Sequence, residues 1–433
     1  MTMDQDELKS VLFFLKEFQT SVLTPSEDYD SVDQHDDKIK NLYEHEWNRY
    51  SENYFKNEAW PTVEKIEEHG LELEDEFKIL YKELYYRHIF DRIGNTKKGS
   101  DKESDFGSMT YERFKSWQNY VDLFNLIINT DKVPEWSLPS TWLWDIMDEF
   151  IYQFTQFRTF RSKLQSKSNA ELEFLREAEE TSPLWGIHSV LNVLYSIVEK
   201  SCIIQSLEAA LGSSGKSKTN RQPSQFDEFA DSEMYKYLGY FSLIGLLKFH
   251  VLTGDYQLAI DSIKNQPIEM LYELNENEWF ITSYYHYGFA LVMTKRYKEA
   301  IIRFQSALNF VDRSNKIQTR QIQYKNEQQN KQIEQLYHLL AVCVTLYPMK
   351  LEDSIEAKMK ERVGDDKINR MQSGDAKAWV VAENKTRQYI FFNYAKSKSK
   401  SCDISSTNLS TFKSEVKLTT YSPSQISVTG LKI

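Results

Sequence analysis

At 433 residues, 41% hydrophobic and 27% charged, the chain has room for two or three domains with a sizeable core and the balance of a soluble protein. Its 53 basic and 64 acidic residues leave a formal charge of −11, which excludes an electrostatic grip on nucleic acid by the protein as a whole, though not by a local patch. Three cysteines (Cys202, Cys343, Cys402), far apart and in no CxxC pattern, exclude a disulfide framework and a cysteine zinc site.

The aromatic load is high, at 25 Phe, 26 Tyr and 9 Trp, while 14 Gly and 9 Pro are too few for many tight β-turns, so the expected class is all-α. Residues 1–40 hold ten acids against four lysines around one amphipathic stretch, 8–18. Their expected state is an acidic, largely flexible arm, residues 1–38. The N-terminus lacks a basic-then-apolar leader profile, and no apolar run reaches the length of a membrane span, so the expected address is cytoplasmic, with no membrane contact.

Helical spacing of Leu42, Tyr43, Trp47, Tyr50 and Tyr54 predicts a helix over 39–54, and Pro61 after Trp60 predicts the start of another. Residues 77–93 form a strong helical pattern, and 94–110 a polar loop rich in Gly and Ser. Helices are predicted over 114–129, over 141–157 with Ser140 or Thr141 as N-cap, and over 188–210; a second polar insert occupies 211–225.

Two helical hairpins follow. Residues 235–265 and 284–311 each carry a long apolar helix, a short polar turn and the sequence Tyr-x-x-Ala-Ile: Tyr256, Ala259 and Ile260, then Tyr297, Ala300 and Ile301. In the second, Gly288 precedes Ala300 by twelve positions, with Phe304 and Ala307 beyond. That is tetratricopeptide-like spacing, in which small residues let paired helices approach and aromatics fill the gaps. The alanines are 41 residues apart, so the repeat is loose. Stacked pairs of this kind usually bind proteins. A further helix is predicted over 328–347, stopped by Pro348, with short helices around Ile355 and Ile368. Beyond Asp375 the chain turns basic and rich in Ser and Thr without helical periodicity, and reads as a mostly disordered tail, 376–433.

The chemistry-bearing patterns are weak. Residues 210–217 (ALGSSGKS) fit a relaxed phosphate-loop pattern, but a helix precedes them and Pro223 follows, so they read as a flexible loop rather than a nucleotide site at Lys216. Asp145, Asp148 and Glu149 share a helix face and read as the solvated edge of a buried helix. The stripe Leu80, Tyr81, Leu84, Tyr85 and Tyr86 beside Lys78, Lys82 and Arg87 reads as packing rather than a base-stacking platform. His88, His188, His250, His286 and His338 read as packing residues of the core or its rim. No catalytic residue, cofactor site or metal site is assigned, and the expectation is a non-enzymatic, protein-binding helical scaffold.

Longer blocks carry a resemblance. Ala59-Trp60-Pro61, ILYKELYYRHI (79–89), WLWDIMDEFIYQF (142–154), HSVLNVLYSIVEKS (188–201), YLGYFSLIGLLKFHVLTGDYQLAI (237–260), KRYKEAI (295–301), LYPMKLEDSI (346–355) and RMQSGD (370–375) resemble the subunit L family of eukaryotic translation initiation factor 3. The resemblance covers roughly residues 40–375. It implies a helical-repeat region, 39–310, with its loops at 94–110 and 211–225, leading into the first part of a PCI domain, 311–375. It also implies a scaffold role in translation initiation at the small ribosomal subunit, with the C, E and K subunits as partners and direct RNA contact left open. A PCI scaffold of the proteasome lid or COP9 signalosome is the alternative. After Asp375 the family pattern is not followed, so a truncated PCI domain lacking its winged helix is expected.

Overall fold

In the computed structural model, the residues described are 5–24, 32–56, 58–96, 105–162, 169, 172–173, 176, 185–212, 227–263, 277–317 and 326–373; they form helices and connecting turns, with no strand among them. The chain divides into two compact units, Met1–Gly245 and Leu246–Ile433. The expected loops 94–110 and 211–225 fall partly, and the expected tail, 376–433, wholly, outside the described residues.

The first unit opens with α1 (Gln5–Leu23). Here the structure corrects the expected flexible arm. Val11, Phe14, Leu15, Phe18 and Val22 recur at helical spacing and are buried. The acids Asp6 and Glu7 sit in the first turn, where they complement the helix dipole rather than oppose folding. The backbone N–H of Ser137 donates to the Val22 carbonyl, fastening the end of α1 (2.9 Å).

α2 (Val32–Asn41) runs through one π turn, Leu42–Glu46, into α3 (Trp47–Tyr54). Adjacent Leu42 and Tyr43 are both buried, and a widened turn of this kind re-aims side chains relative to the regular α period. Trp60 closes the region. It is 1% exposed, stacks on Trp47 with centroids 4.0 Å apart and on Phe55 at 4.3 Å, and its Nε1 donates to Ser51 Oγ. Such pairs add about 0.5–1.5 kcal/mol each beyond the area they bury. Pro61 lies two residues before α4 (Val63–Glu68), whose N-cap is Thr62.

Three long helices follow: α5 (Asp75–Thr96), α6 (Asp105–Ile128) and α7 (Ser140–Ser162). α5 and α6 extend into both ends of the segment expected to be a loop, so its polar composition marked the connection but overstated its length. The predicted helix over 188–210 is instead two, α8 (Ile187–Lys200) and α9 (Ile203–Gly212), separated at Ser201 and Cys202, where Cys202 adopts φ 49°. The Lys200 ammonium donates to the carbonyls of Ile128 (2.9 Å) and Thr130 and lies 4.2 Å from the centroid of the Phe229 ring, so one cation closes the C-terminal end of α6. α10 (Asp227–Asp231) precedes α11 (Glu233–Thr253), and the unit boundary falls within α11.

The second unit carries the hairpins. The end of α11 turns into α12 (Tyr256–Asp261); α13 (Asn277–Met293) turns into α14 (Tyr297–Ile317). α15 (Asn326–Leu346) packs on both α13 and α14, and α16 (Asp353–Val363) and α17 (Asp365–Gln372) pack on α15. The expected start of a PCI domain at residue 311 falls inside α14.

The 41-residue repeat reaches into the turns. The Asp255 N–H donates to the His250 carbonyl (2.9 Å) and the Arg296 N–H to the Leu291 carbonyl (2.8 Å), the same six-to-one closure. Thr253 and Thr294 each donate back to two carbonyls of their own helices. The left-handed position is Gly254 at φ 89° in the first turn and Lys295 at φ 63° in the second. A lysine there bears a steric cost that glycine avoids. Within the second hairpin, a β-carbon added at Gly288 would collide with the Phe304 ring, so the gap Gly288 leaves is filled by that ring.

Two stability outcomes follow from these positions. Gly288→Ala lowers stability by roughly 1–3 kcal/mol through overpacking against Phe304, read as a lower urea midpoint at unchanged slope. Lys295→Gly raises stability by about 0.5–1 kcal/mol; an unchanged or lower midpoint would refute the strained-turn assignment.

Candidate functional site

The densest polar chemistry lies in the first unit, between α5, α6 and α7. Each helix supplies a pair of residues four apart: Glu83 and Arg87 from α5, Ser116 and Tyr120 from α6, Asp145 and Glu149 from α7. Residues at that spacing share a face, so three faces converge. The fourth contributor is Tyr43, from the π turn.

Glu83 is fully buried. Its Oε1 accepts from Arg87 Nε (3.1 Å), Arg87 Nη2 (2.5 Å) and the Tyr120 hydroxyl (3.3 Å), and its Oε2 accepts from Trp142 Nε1 (3.3 Å). Arg87 Nη1 donates to the Tyr43 hydroxyl oxygen (2.6 Å) and reaches Asp145 Oδ2 at 3.5 Å, while Tyr43 donates to the same Asp145 oxygen (2.5 Å). Tyr43 also stacks on Trp142 at 4.9 Å, so the hydroxyl is held over the guanidinium by its own ring. A neighbouring branch runs from the Ser116 hydroxyl to Gln153 Oε1 (2.6 Å) and from Gln153 Nε2 to Glu149 Oε1 (2.9 Å).

Burial works against the Arg87 charge, but Glu83, then Tyr43 and Asp145, outweigh it and hold its pKa well above the ordinary value. Burial raises the hydroxyl pKa values of Tyr43 and Tyr120 well above the usual range, so both remain donors. Glu149 is pushed up to about 8, chiefly by burial of its carboxyl, against the opposing pull of Arg87 and the Gln153 hydrogen bond. At neutral pH it is mostly protonated.

Two of the three acids read as a solvated edge are therefore placed differently, while Asp148 is partly exposed. Asp145 belongs to the ion network, and Glu149 sits between buried neighbours; Trp142, Phe150, Ile151 and Phe154 of the same helix are all buried. The signal present in the sequence was Glu83 and Arg87 at i and i+4 among the aliphatic and aromatic residues of 79–90, where a charge turned inward could not stay unpaired. The aromatic stripe behaves as read: Leu80, Tyr81, Leu84 and Tyr86 are buried and Tyr85 partly so, while Lys78 pairs with Glu67 (3.0 Å) and Asp75 (3.1 Å).

In the second unit, Ala259, Ala300, Phe304 and Ala307 are fully buried, and Gly288 lies against Phe304. Tyr256 and Tyr297 are half-buried at corresponding helix starts; Tyr256 meets the Phe289 ring at 6.1 Å. These repeat positions form hairpin interiors and do not converge on a cleft. His250, His286 and His338 are buried, His286 with its pKa lowered to about 3 by burial and by Lys248; His188 is exposed. A cleft of about 560 Å³ opens beside the end of α15, lined by Val344, Thr345, Pro348, Met349, Lys350 and Gln372. Among the described residues, no group of His, Cys, Asp and Glu is arranged to hold a metal, and no helix is long and apolar enough to cross a membrane. α9 runs through Gly212, and the remainder of the phosphate-loop-like segment lies outside the described residues.

Glu149 gives a pH signature. Its folded pKa, about 8, lies above the ordinary carboxyl value of 4.5, so the folded state binds the extra proton. The associated stability is complete below about 4.5 and is lost as pH rises toward 8, with a limiting slope of about 1.4 kcal/mol per pH unit. Glu149→Gln keeps the acceptor for Gln153 and abolishes this component. The difference in Tm between variant and wild type should grow in the variant's favour from pH 5 to pH 9; parallel profiles would refute the assignment.

Comparison with known proteins places this architecture. A family model described as Paf67, RNA polymerase I-associated factor PAF67, matches residues 112–429, and thus continues past Asp375, where the sequence reading sets the tail apart. Eukaryotic translation initiation factor 3 subunit L of Xenopus tropicalis is 41% identical over 363 residues, covering 82% of this chain and 58% of the relative. The Nematostella vectensis protein of the same name is 42% identical over 348 residues (78% and 60%), and the human one 40% over 347 (78% and 56%). The chain thus spans less than two thirds of the length of these relatives. With the family model covering most of its residues, the chain belongs to the Paf67 family and is similar to subunit L of eukaryotic translation initiation factor 3.

Proposed function

We propose that this chain is a non-catalytic scaffold subunit of translation initiation factor 3, acting in the cytoplasm to support assembly at the small ribosomal subunit and recruitment of initiator tRNA and mRNA. The observation that carries the reading is identity of about 40% across some four fifths of the chain to proteins that each bear the name of subunit L. The helical hairpins support it, because stacked helix pairs present extended faces for partner proteins. The polar network supports it from another side. Glu83 accepts from Tyr120 and Trp142 on two other helices, a use of an ionisable group that ties helix positions together. The repeat positions Tyr256, Ala259, Gly288, Tyr297, Ala300, Phe304 and Ala307 serve as interior spacers of the array, and the C, E and K subunits are its proposed neighbours.

The test is affinity purification of the tagged full chain from cells, with quantitative mass spectrometry of what accompanies it. Initiation factor 3 subunits should be recovered in fixed proportion, with C, E and K the last to be lost as salt rises. Proteasome-lid or signalosome subunits in their place would replace the reading, as would RNA polymerase I subunits, the association named in the family description.

A further inference from the structure

Arg113 stands apart from both the polar network and the hairpins. It lies on α6 and is 9% exposed, with its guanidinium carbon 5.1 Å from the ring centroid of Phe90 on α5 and 5.2 Å from that of Phe160 on α7. Its Nε has no hydrogen-bond partner, and among the described residues it has no ion pair. Elsewhere in this unit a buried cation is matched, as Arg87 is by Glu83.

The ionisable groups that bear on Arg113 are Tyr152 and Glu149, both on α7. Burial lowers the Arg113 pKa to about 10, so the guanidinium is charged at neutral pH, while Glu149 at about 8 is mostly protonated there and supplies little counter-charge. Two phenyl rings fix the plane of a guanidinium and attract it weakly. They leave its N–H donors unspent. A planar fork of donors held this way suits a carboxylate, which accepts two parallel bonds from it. Tyr152, 41% exposed and near enough to bear on the Arg113 charge, adds a residue type that, with Arg, dominates binding energy at protein interfaces.

We propose that Arg113, clamped between Phe90 and Phe160, is a docking point for one aspartate or glutamate side chain of a partner protein, with Tyr152 at its rim. The partner as a protein rests on the scaffold reading; the carboxylate rests on the geometry alone. An isolated carboxylate fits better than a nucleic-acid backbone. A run of phosphates would have to pass the acids of the same helices, Glu112 on α6 and Asp148 on α7, on a chain of net charge −11.

The test uses the isolated full chain, so its outcome does not depend on which complex the chain joins. Binding of a rhodamine-labelled, C-terminally amidated hexapeptide carrying a single glutamate among Gly and Ser, and of a ten-nucleotide uridine RNA, is measured by anisotropy at two salt concentrations, alongside Tm, for wild type, Arg113→Met and Arg113→Lys. Wild type should bind the peptide in a salt-sensitive way. Arg113→Met should bind about tenfold or more weakly, and Arg113→Lys should fall between, having charge without the fork. Tm of Arg113→Met should be unchanged or higher, because an uncompensated buried cation is replaced by an apolar side chain of similar length. Equal peptide binding by wild type and Arg113→Met, or none by wild type, overturns the proposal. RNA binding that depends on Arg113 overturns it in favour of phosphate. A clear fall in Tm for Arg113→Met overturns it by giving the guanidinium a structural partner within the chain.

Discussion

The arrangement of the first unit depends on a single buried pair, Glu83 with Arg87. Glu83 has no solvent of its own, so its charge is tolerable only while four donors converge on its two oxygens. Those donors come from α5, α6 and α7, and the far side of Arg87 engages Tyr43 from the π turn. Displacing α6 or α7 takes Tyr120 or Trp142 away from Glu83 and leaves the buried carboxylate short of a hydrogen bond, which costs about 1–3 kcal/mol, whereas the Glu83–Arg87 pair, made within α5, survives the displacement. The buried carboxylate therefore selects one helix register among many that hydrophobic burial alone would allow.

Aromatic packing completes that selection. Phe18 of α1 and Tyr43 both stack on Trp142, at 5.2 and 4.9 Å, so the N-terminal helix and the π turn meet at the residue whose indole N–H reaches Glu83. A second cluster gathers Trp117, Tyr120, Phe124 and Trp185 around Phe150. Tyr120 belongs to both the cluster and the network. Polar specification and apolar stabilisation are thus carried by the same side chains.

The second unit uses a different device. Its helices are joined by repeated turns in which threonine, a left-handed residue and a six-to-one hydrogen bond recur 41 residues apart. Its later helices are tied by contacts between neighbours: Lys358 to Asp312 at 2.6 Å, Asn309 to Glu352 at 3.0 Å, and Arg362 over Tyr337. Interactions of that range are typical of stacked helical arrays, in which each element depends on those beside it. A specifying core in one unit and a stacked array in the other suit the scaffold role proposed above.

The sequence by itself determined the all-α class, because a 3.6-residue period is a local signal, as is a small residue opposite an aromatic. Ala259, Ala300, Phe304 and Ala307 are buried as that pattern requires. It also carried the family resemblance, since whole blocks such as 142–154 persist as contiguous strings. What only the tertiary structure decided was the meaning of the charges. The acids of 1–38 argued for a flexible arm, yet α1 folds because its apolar face finds Phe77 and Trp142 far along the chain. Asp145 looked solvated because its partner Tyr43 lies 102 residues away, and Glu149 because what buries its carboxyl is the packing of other helices. Whether a charge is solvated, paired or stranded, as Arg113 is, depends on which helices converge on it, and convergence is a property of the fold rather than of any window of sequence.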